Sequence, residues 1–249
     1  MKTFEFYKLE NLIINKIYYQ VFQKNNLLNI HSIENLKNPF YIKKKRYRLI
    51  RAFKIDNLSL FIKKYEKNLE EAESEWENLQ LLWDMGFSTS IPIFFYKDSS
   101  IALIGTEEVS GKICLEIIKE NSEKTQIVIE KIAEFLGNFH KKNLFHQDCY
   151  LNHFYWDDEN KTLYILDVSR VIENPLFPLK YQIKDLSQLA FSFEVYLGKE
   201  AFFWWKFFWE NYVKNYGLKN EKFLKVLVNI KKLLIRRRTI KKFLKGEEL

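Results

Sequence analysis

The distribution of apolar and turn-forming residues in the first half of the chain predicts a β-sheet with one helix. Residues 46–65 contain two β-forming runs separated by Asp56-Asn57, a pair that favours a hairpin turn. Residues 90–98 and 99–109 predict two more strands around a turn at 97–100. Between these pairs, apolar residues recur every three or four positions, which predicts a helix that ends near Gly86. Its apolar stripe consists of Leu69, Ala72, Trp76, Leu79 and Trp83.

The second half of the chain is predicted to be mainly helical. A second apolar stripe predicts a helix over residues 125–142, and it consists of Val128, Ile132, Phe135, Leu136 and Phe139. A polar loop, LFHQDCYLNHF, follows this helix and precedes a strand, TLYILDV; from about residue 183 the pattern is helical and aromatic. The apolar pattern is interrupted at residues 107–112. We therefore expect an α+β protein, with a small antiparallel sheet plus helix in residues 1–108 and a larger helical domain in residues 109–249.

Composition narrows the class of protein. Of the 249 residues, 47% are hydrophobic, which excludes a mainly disordered chain. Two cysteines are too few for a disulfide framework and favour a reducing compartment, the cytoplasm by default. No stretch reaches the roughly 18 apolar residues that a membrane-spanning helix needs. Charges at Lys2, Glu5 and Lys8 argue against a signal peptide.

The net charge of +8 is concentrated at the C-terminal end of the chain. Residues 213–249 carry 12 Lys and Arg against 3 Asp and Glu, a net charge of +9, which leaves −1 for the rest. The pattern there is typical of a basic amphipathic helix, which either lies on an anionic membrane or is a solvated or weakly nucleic-acid-binding face. Its basic positions run from Lys231 to Lys245. Its apolar positions are Val226, Ile230, Leu233, Leu234, Phe243 and Leu244.

Two aspartates carry the most informative signal for function. Asp148 lies in the loop segment His146-Gln147-Asp148, and Asp167 follows 19 positions later at the end of an apolar strand. Phosphoryl transfer needs one group that accepts the proton of the acceptor hydroxyl and another that holds Mg²⁺ beside the phosphates. The order and spacing match the catalytic loop and the magnesium aspartate of protein kinases. We therefore predict that Asp148 is catalytic and that Asp167 binds Mg²⁺.

A lysine and a glutamate upstream extend this pattern. Lys63 ends the strand-forming segment SLFIK, which is comparable with the kinase strand whose lysine pairs the α and β phosphates. Lys64 is the alternative, because adjacent strand residues point to opposite faces. Glu75 lies beside the apolar stripe of the following helix and is expected to pair with Lys63. An ordinary surface ion pair is the other interpretation of these two residues.

Four segments resemble the bacterial lipopolysaccharide core heptose kinases, a family within the protein-kinase-like superfamily: AESEWENLQLLWDMGFSTSIP, IALIGTEEVSG, FHQDCYLNHF and ILDVSR. The resemblance covers residues 46–170, half of the chain. It implies a two-lobe kinase-like fold, ATP as phosphate donor, and an inner-core heptose hydroxyl as acceptor at the cytoplasmic face of the inner membrane. It further implies that the backbone at Glu107 and Val109 contacts adenine and that His153 occupies the position of the second metal ligand.

The sequence also departs from the kinase pattern. His153 stands where most kinases carry an asparagine, and imidazole is a poorer ligand for Mg²⁺ than an amide oxygen, so Asn152 is the alternative ligand. Val168-Ser169 replace Phe-Gly, which argues against switching through a phosphorylated activation loop. There is no Gly-rich loop to cover the phosphates. Basic side chains are expected to replace it, namely Lys43, Lys44, Lys45, Arg46, Arg48 and Arg51.

Several residues have a second interpretation. His140, His146, Cys149 and His153 lie close together in the sequence, but their spacing fits no common zinc site. His140 is expected to cap a helix or to be solvated, and Cys149 to be a small packing residue. Arg170 either orients a sugar or phosphate or pairs with a structural carboxylate. The aromatic cluster at residues 202–209 is expected to be core.

The expected activity is therefore phosphorylation of a lipopolysaccharide inner-core heptose with ATP and Mg²⁺. One alternative is a small-molecule phosphotransferase that acts on an aminoglycoside or a free sugar. Another is a catalytically silent kinase fold that serves as a membrane or nucleic-acid binding module. The expected partners are the glycolipid substrate and an anionic membrane surface, with peripheral attachment at the inner face of the inner membrane, and no nucleic acid is expected.

Overall fold

The structure, a computed structural model, describes residues 3–45, 47–120, 123–218 and 220–244. Arg46 and Lys245 therefore lie outside the described residues, as does the side chain of Phe243. The chain forms two compact units, Met1–Ser110 and Gly111–Leu249. The sequence pattern places this division after residue 108.

The N-terminal unit contains seven strands and three α-helices within the described residues. In chain order these are β1 (Phe6–Leu9), β2 (Leu12–Asn15), α1 (Tyr19–Lys24), α2 (Ile30–Glu34), β3 (Tyr41–Lys45), β4 (Arg48–Ile55), β5 (Leu58–Tyr65), α3 (Leu69–Asp84), β6 (Pro92–Lys97) and β7 (Ala102–Glu107). The strands form one antiparallel sheet in the order β1-β2-β6-β7-β5-β4-β3.

The β4–β5 hairpin, the β6–β7 pair and α3 confirm the sequence prediction for this unit. Asp56 turns the hairpin with a left-handed φ of +52°, which aspartate tolerates, and Gly86 follows α3 with a φ of +81°. The elements before β4 were not predicted. Each of them is only four to six residues long, which is too short to show a hydrophobic period.

Both faces of this sheet are covered by helices. One face packs on α1 and α2, through a core that includes Phe22 and Ile33. The other face packs on α3. Because neighbouring strand residues point to opposite faces, Lys63 of β5 contacts α3 whereas Lys64 contacts α2.

The C-terminal unit contains five strands and five α-helices within the described residues. In chain order these are β8 (Lys112–Ile113), α4 (Cys114–Lys119), α5 (Lys124–Lys141), β9 (Leu144–Phe145), β10 (Phe154–Asp157), β11 (Thr162–Ile165), β12 (Ile172–Glu173), α6 (Pro178–Leu197), α7 (Ala201–Tyr216) and α8 (Glu221–Leu244). Strands β8, β10 and β11 form one small sheet, and β9 and β12 form another. The predicted helix at residues 125–142 and the strand before Asp167 are confirmed. Helix α6 begins before the predicted residue 183, because Pro178 is well suited to a first helical turn.

The aromatic cluster of α7 lies only partly in the core. Phe208 and Trp209 are buried, whereas Phe202 and Phe203 are 81% and 62% exposed. The prediction that the whole cluster is core is therefore wrong for its first residues. They lie in the first turn of the helix, on a side that no other described element covers.

Helix α8 has apolar residues on both its buried face and its exposed face. It buries Leu224 and Val228 and exposes the apolar positions that the sequence pattern singled out, including Val226, Ile230 and Leu233. The described residues contain no helix with the length and apolar character needed to span a membrane.

Candidate active site

A β-hairpin brings Asp148 and Asp167 together. Strand β10 follows the loop that carries Asp148 and pairs in antiparallel register with β11. The pairing continues beyond the strand ends, since the Leu166 N–H donates to the His153 carbonyl at 2.9 Å. Asp167 is the next residue and therefore lies beside the loop, although 19 positions separate the two aspartates.

His146 provides a second link between the loop and the end of β11. Its buried ring donates from Nε2 to the Leu166 carbonyl at 3.0 Å and accepts at Nδ1 from the Asp148 N–H at 3.3 Å. Both bonds require a neutral ring with its proton on Nε2. Burial lowers the pKa of His146, and the neighbouring His153 lowers it further, so the neutral form is favoured. His146 is thus a positioning residue for both aspartates.

Asp148, His153 and Asp167 each offer a ligand atom, and these atoms all lie within 4.8 Å of one another. The His153 Nδ1–H donates to the Asp148 carbonyl at 2.7 Å, and its Nε2 lies 3.9 Å from Asp167 Oδ2. A ring held by one nitrogen on a backbone carbonyl presents the other nitrogen as a ligand. Two carboxylates and one such imidazole fit a divalent cation, and the carboxylates suit Mg²⁺ better than the imidazole does. The metal-binding roles of His153 and Asp167 stay predictions.

Asp185 of α6 holds the backbone of the loop that carries Asp148. This carboxylate is fully buried and accepts hydrogen bonds from the N–H groups of His146 and Gln147, each at 2.7 Å. Gln147 has a left-handed φ of +64°, a conformation that costs a non-glycine residue about 1–2 kcal/mol. Its side-chain amide also donates to Asp185 at 3.2 Å, so the same carboxylate offsets this strain immediately before Asp148.

The role of Asp185 was not predicted from the sequence. The available signal was a single carboxylate at the edge of the apolar run that begins at Leu186. Such a residue in a helix interior is costly to bury unless it is hydrogen-bonded. It therefore points to a buried polar partner, although the sequence does not identify that partner.

His140 is buried, and the expectation of a capping or solvated residue is wrong. It is 2% exposed, with Nδ1 2.7 Å from the Tyr212 hydroxyl and Nε2 3.3 Å from Asp185 Oδ2. The physical reason is that α7 packs along α5 and covers its last turn. His140 therefore belongs to the polar network that supports the loop that carries Asp148.

The zinc interpretation gains no support from the described residues. The group found there that could hold a metal ion consists of Asp148, His153 and Asp167, without His140 or Cys149. Cys149 is fully buried, and burial raises the pKa of its thiol well above the usual value. A protonated buried thiol fits the packing role that was expected of it.

In the N-terminal unit, Lys63 Nζ forms an ion pair with Glu75 Oε1. Glu75 is 2% exposed and accepts a further hydrogen bond of 2.6 Å from the Tyr65 hydroxyl. Burial raises the pKa of Tyr65, and the charge on Glu75 raises it further, so this hydroxyl remains a donor. Lys64 pairs instead with Glu34 of α2 at 2.6 Å. The Lys63–Glu75 pair is too buried to be an ordinary surface ion pair, and its contact with phosphates stays a prediction.

The two residues expected to contact adenine lie at the end of the sheet. Glu107 is the last residue of β7, and its N–H donates to the Ile91 carbonyl at 3.0 Å. Its carboxylate accepts a hydrogen bond of 2.8 Å from the Tyr18 hydroxyl. Val109 follows two positions later and is half-buried. The adenine contacts stay a prediction.

The basic side chains expected to replace a Gly-rich loop divide into two groups. The three lysines of β3 are exposed. Arg48 forms an ion pair with Glu71 at 3.7 Å, and Arg51 donates to the Glu34 carbonyl at 3.1 Å. These two guanidinium groups therefore bind partners within the N-terminal unit. The β3 lysines therefore remain the candidates for phosphate contacts among the described residues, and Arg46 lies outside them.

A family model and a curated relative both relate this chain to lipopolysaccharide kinases. A model of the lipopolysaccharide kinase (Kdo/WaaP) family matches residues 47–216. The lipopolysaccharide core heptose(I) kinase WaaP of Pseudomonas aeruginosa is 24% identical to this chain over an alignment of 139 positions, and the match covers 49% of this chain and 52% of the relative. The match thus spans about half the length of that curated relative.

The fold agrees with a solved structure described as WaaP in complex with acyl carrier protein. The two chains share 20% sequence identity with a TM-score of 0.66, over 89% of this chain and 97% of the other. At this identity the match establishes the fold alone. It confirms the predicted α+β, kinase-like fold class.

Proposed function

The chain belongs to the lipopolysaccharide kinase (Kdo/WaaP) family, and from this premise we propose that it transfers the γ-phosphoryl group of ATP to a heptose hydroxyl of the lipopolysaccharide inner core. The observation that carries the proposal is the convergence of Asp148, His153 and Asp167 within 4.8 Å. The core heptose(I) kinase activity in the name of the curated relative supports the choice of acceptor.

Asp148 is the catalytic residue of the proposed reaction. Its backbone is held on both sides, because its N–H donates to His146 Nδ1 and its carbonyl accepts from His153 Nδ1. The side chain therefore starts from a fixed backbone position. Its carboxylate orients the acceptor hydroxyl and takes the proton as the acceptor oxygen bonds to the γ-phosphorus and the bond to ADP breaks.

Asp167 and His153 are the proposed Mg²⁺ ligands. A bound Mg²⁺ supplies positive charge that offsets the charge of the phosphate oxygens. Asp167 has a left-handed φ of +59°, a strained conformation that aspartate tolerates and that is frequent at functional sites. The hydrogen bond from Leu166 to the His153 carbonyl keeps the two ligands side by side.

Lys63 is the proposed contact to the α and β phosphates. Glu75 holds the ammonium group in place, and the Tyr65 hydroxyl fixes the second carboxylate oxygen of Glu75. A lysine ammonium group carries three N–H donors, which suits it to contacts with phosphate oxygens. The backbone at Glu107 and Val109 is the proposed adenine contact.

A lipid-linked acceptor would require access to a membrane surface, and α8 has an exposed face suited to binding such a surface. Its exposed face carries Val226, Ile230 and Leu233, and the exposed Arg237 and Lys241 lie near them. A basic residue near an anionic leaflet contributes about 1 kcal/mol to binding. We therefore include peripheral attachment to the inner face of the inner membrane.

Aspartate at both Ile230 and Leu233 should shift the protein from the membrane fraction to the soluble fraction, and unchanged fractionation would contradict this attachment.

Mass spectrometry of the core oligosaccharide tests the proposed acceptor. Oligosaccharide from cells that lack the gene should contain one phosphate fewer, and the wild-type gene should restore it. Asp148→Asn should not restore the phosphate, whereas Asp158→Asn should, because Asp158 lies in an exposed turn. Equal phosphate content with and without the gene would contradict the proposal.

A further inference from the structure

A cavity of about 740 Å³ lies beside Asp148 in the C-terminal unit, lined by residues of the catalytic loop, α6 and α8. Its volume falls within the roughly 300 to 1,000 Å³ typical of small-molecule sites. Asp148 and His153 both form part of its wall. A molecule in the cavity can therefore reach the carboxylate that is proposed to orient the acceptor hydroxyl.

The described residues of the cavity wall are strongly basic. Five cationic side chains face a single carboxylate, that of Asp148. The five are Arg170, Lys184, Lys231, Arg238 and Lys242. Within the described part of the chain, none of the five forms an ion pair with a carboxylate.

Two basic residues of α8 outside the cavity do have carboxylate partners. Lys232 Nζ and Arg236 Nη1 each lie 3.0 Å from a carboxylate oxygen of Glu194 on α6. Among the described residues, the cations that line the cavity have no such partner, so their charges add together. Such a concentration of like charge attracts anions.

Burial and neighbouring charges both act on the pKa of Lys184, with burial the larger effect. Burial lowers the pKa of Lys184, Asp185 opposes the shift, and the charge of Arg170 adds to it. An anionic ligand in the cavity would stabilise the charged form of the lysine and separate the like charges.

The remaining wall suits a sugar ring. The rings of Tyr150, Phe191 and Tyr196 supply apolar faces, and Asn152 and Thr239 supply hydrogen-bonding groups. A sugar presents both apolar C–H faces and hydroxyl groups. The cavity therefore combines carbohydrate-binding chemistry with anion-binding chemistry.

We propose that this cavity is the acceptor subsite and that it selects a sugar that already carries carboxylate or phosphate groups. This inference rests on the proposed kinase function and deepens it, because it assigns a charge requirement to named residues. The acidic groups contact Lys231, Arg238 and Lys242, while the target hydroxyl lies at Asp148. The reactions that attach the acidic groups must therefore precede this phosphorylation.

Steady-state kinetics with de-acylated inner-core oligosaccharide as acceptor test the subsite. The double variant Lys231→Gln/Lys242→Gln should raise the KM for the oligosaccharide by roughly tenfold to hundredfold, the effect of losing charge-assisted hydrogen bonds. Its KM for ATP should stay unchanged. The matched control Lys214→Gln/Lys222→Gln removes the same charge from exposed positions outside the cavity and should leave both KM values unchanged.

Chemical modification of the acceptor identifies the anionic group. The acceptor is tested after reduction of its carboxylates to alcohols and, separately, after removal of its phosphates. The treatment that removes the group bound by the cavity should raise the KM of the wild type for the acceptor. The same treatment should abolish the difference in KM between the wild type and the cavity variant, whereas the other treatment should leave that difference in place. Equal KM values for the two double variants would overturn the proposal. A raised KM for ATP with an unchanged KM for the acceptor would reassign the cavity to the nucleotide.

Calorimetry separates a failure of this inference from a failure of the kinase function. If the wild type transfers no phosphate to any acceptor, the kinase proposal fails. Weaker binding of the oligosaccharide to the cavity variant than to the control would then still support an anionic sugar site. Equal binding to both variants would overturn that site as well.

Discussion

Asp148→Asn should lower the turnover number for phosphate transfer by about 10² to 10⁴, the range expected for loss of a general base. The amide has nearly the shape of the carboxylate, so the backbone bonds of Asp148 to His146 and His153 are retained. It cannot accept the proton of the acceptor hydroxyl. Rates measured at saturating ATP and acceptor isolate this effect from changes in binding.

Asp158→Asn is the control for this prediction. Asp158 lies after β10 and forms ion pairs with Lys124 and Lys161, all with exposed side chains. The same chemical change there should leave turnover at the wild-type value. If the two variants turned over equally fast, Asp148 would not be the catalytic base.

Asp185→Ala should lower the free energy of unfolding by about 3–5 kcal/mol, because it leaves buried hydrogen-bond donors without an acceptor. The donors are the N–H groups of His146 and Gln147 and the side chain of Gln147. Phosphate transfer should also fall, since these residues set the position of Asp148. Urea denaturation measures the first effect and an assay below the unfolding transition measures the second.

Glu194→Ala provides a comparison on the same helix. Glu194 is 33% exposed and pairs with Lys232 and Arg236 at the surface. Loss of such pairs costs about 1 kcal/mol or less. If Asp185→Ala were no more destabilising than Glu194→Ala, the buried carboxylate would not support the loop as described.

The elements and site residues that could be predicted from the sequence are those marked by a local hydrophobic period or by a characteristic spacing of chemical groups. The hairpin around Asp56, helix α3 and helix α5 each follow from a hydrophobic period bounded by turn residues. Asp148 and Asp167 were linked by their order and spacing, and the structure places them together. The family predicted from four short segments is confirmed by the match over residues 47–216.

The remaining features depend on contacts between distant segments, which no local pattern encodes. His140 was expected to cap a helix or to be solvated, because the sequence does not show that α7 covers the end of α5. Asp185 supports the loop that carries Asp148 from a helix that begins after both Asp148 and Asp167. The basic cavity combines residues of the catalytic loop with residues of α6 and α8. The sequence showed the C-terminal charge but not which lysines face Asp148.

Binding of Mn²⁺, a paramagnetic substitute for Mg²⁺, tests most directly whether Asp167 holds a divalent cation beside Asp148 and His153. Electron paramagnetic resonance with a non-hydrolysable ATP analogue present would measure the affinity in the wild type, Asp167→Asn and Asp158→Asn. We predict that Asp158→Asn binds Mn²⁺ as the wild type does, and that Asp167→Asn binds it more than about tenfold more weakly, the minimum loss expected even for changes beside a metal ligand. Equal affinity in all three proteins would contradict the account.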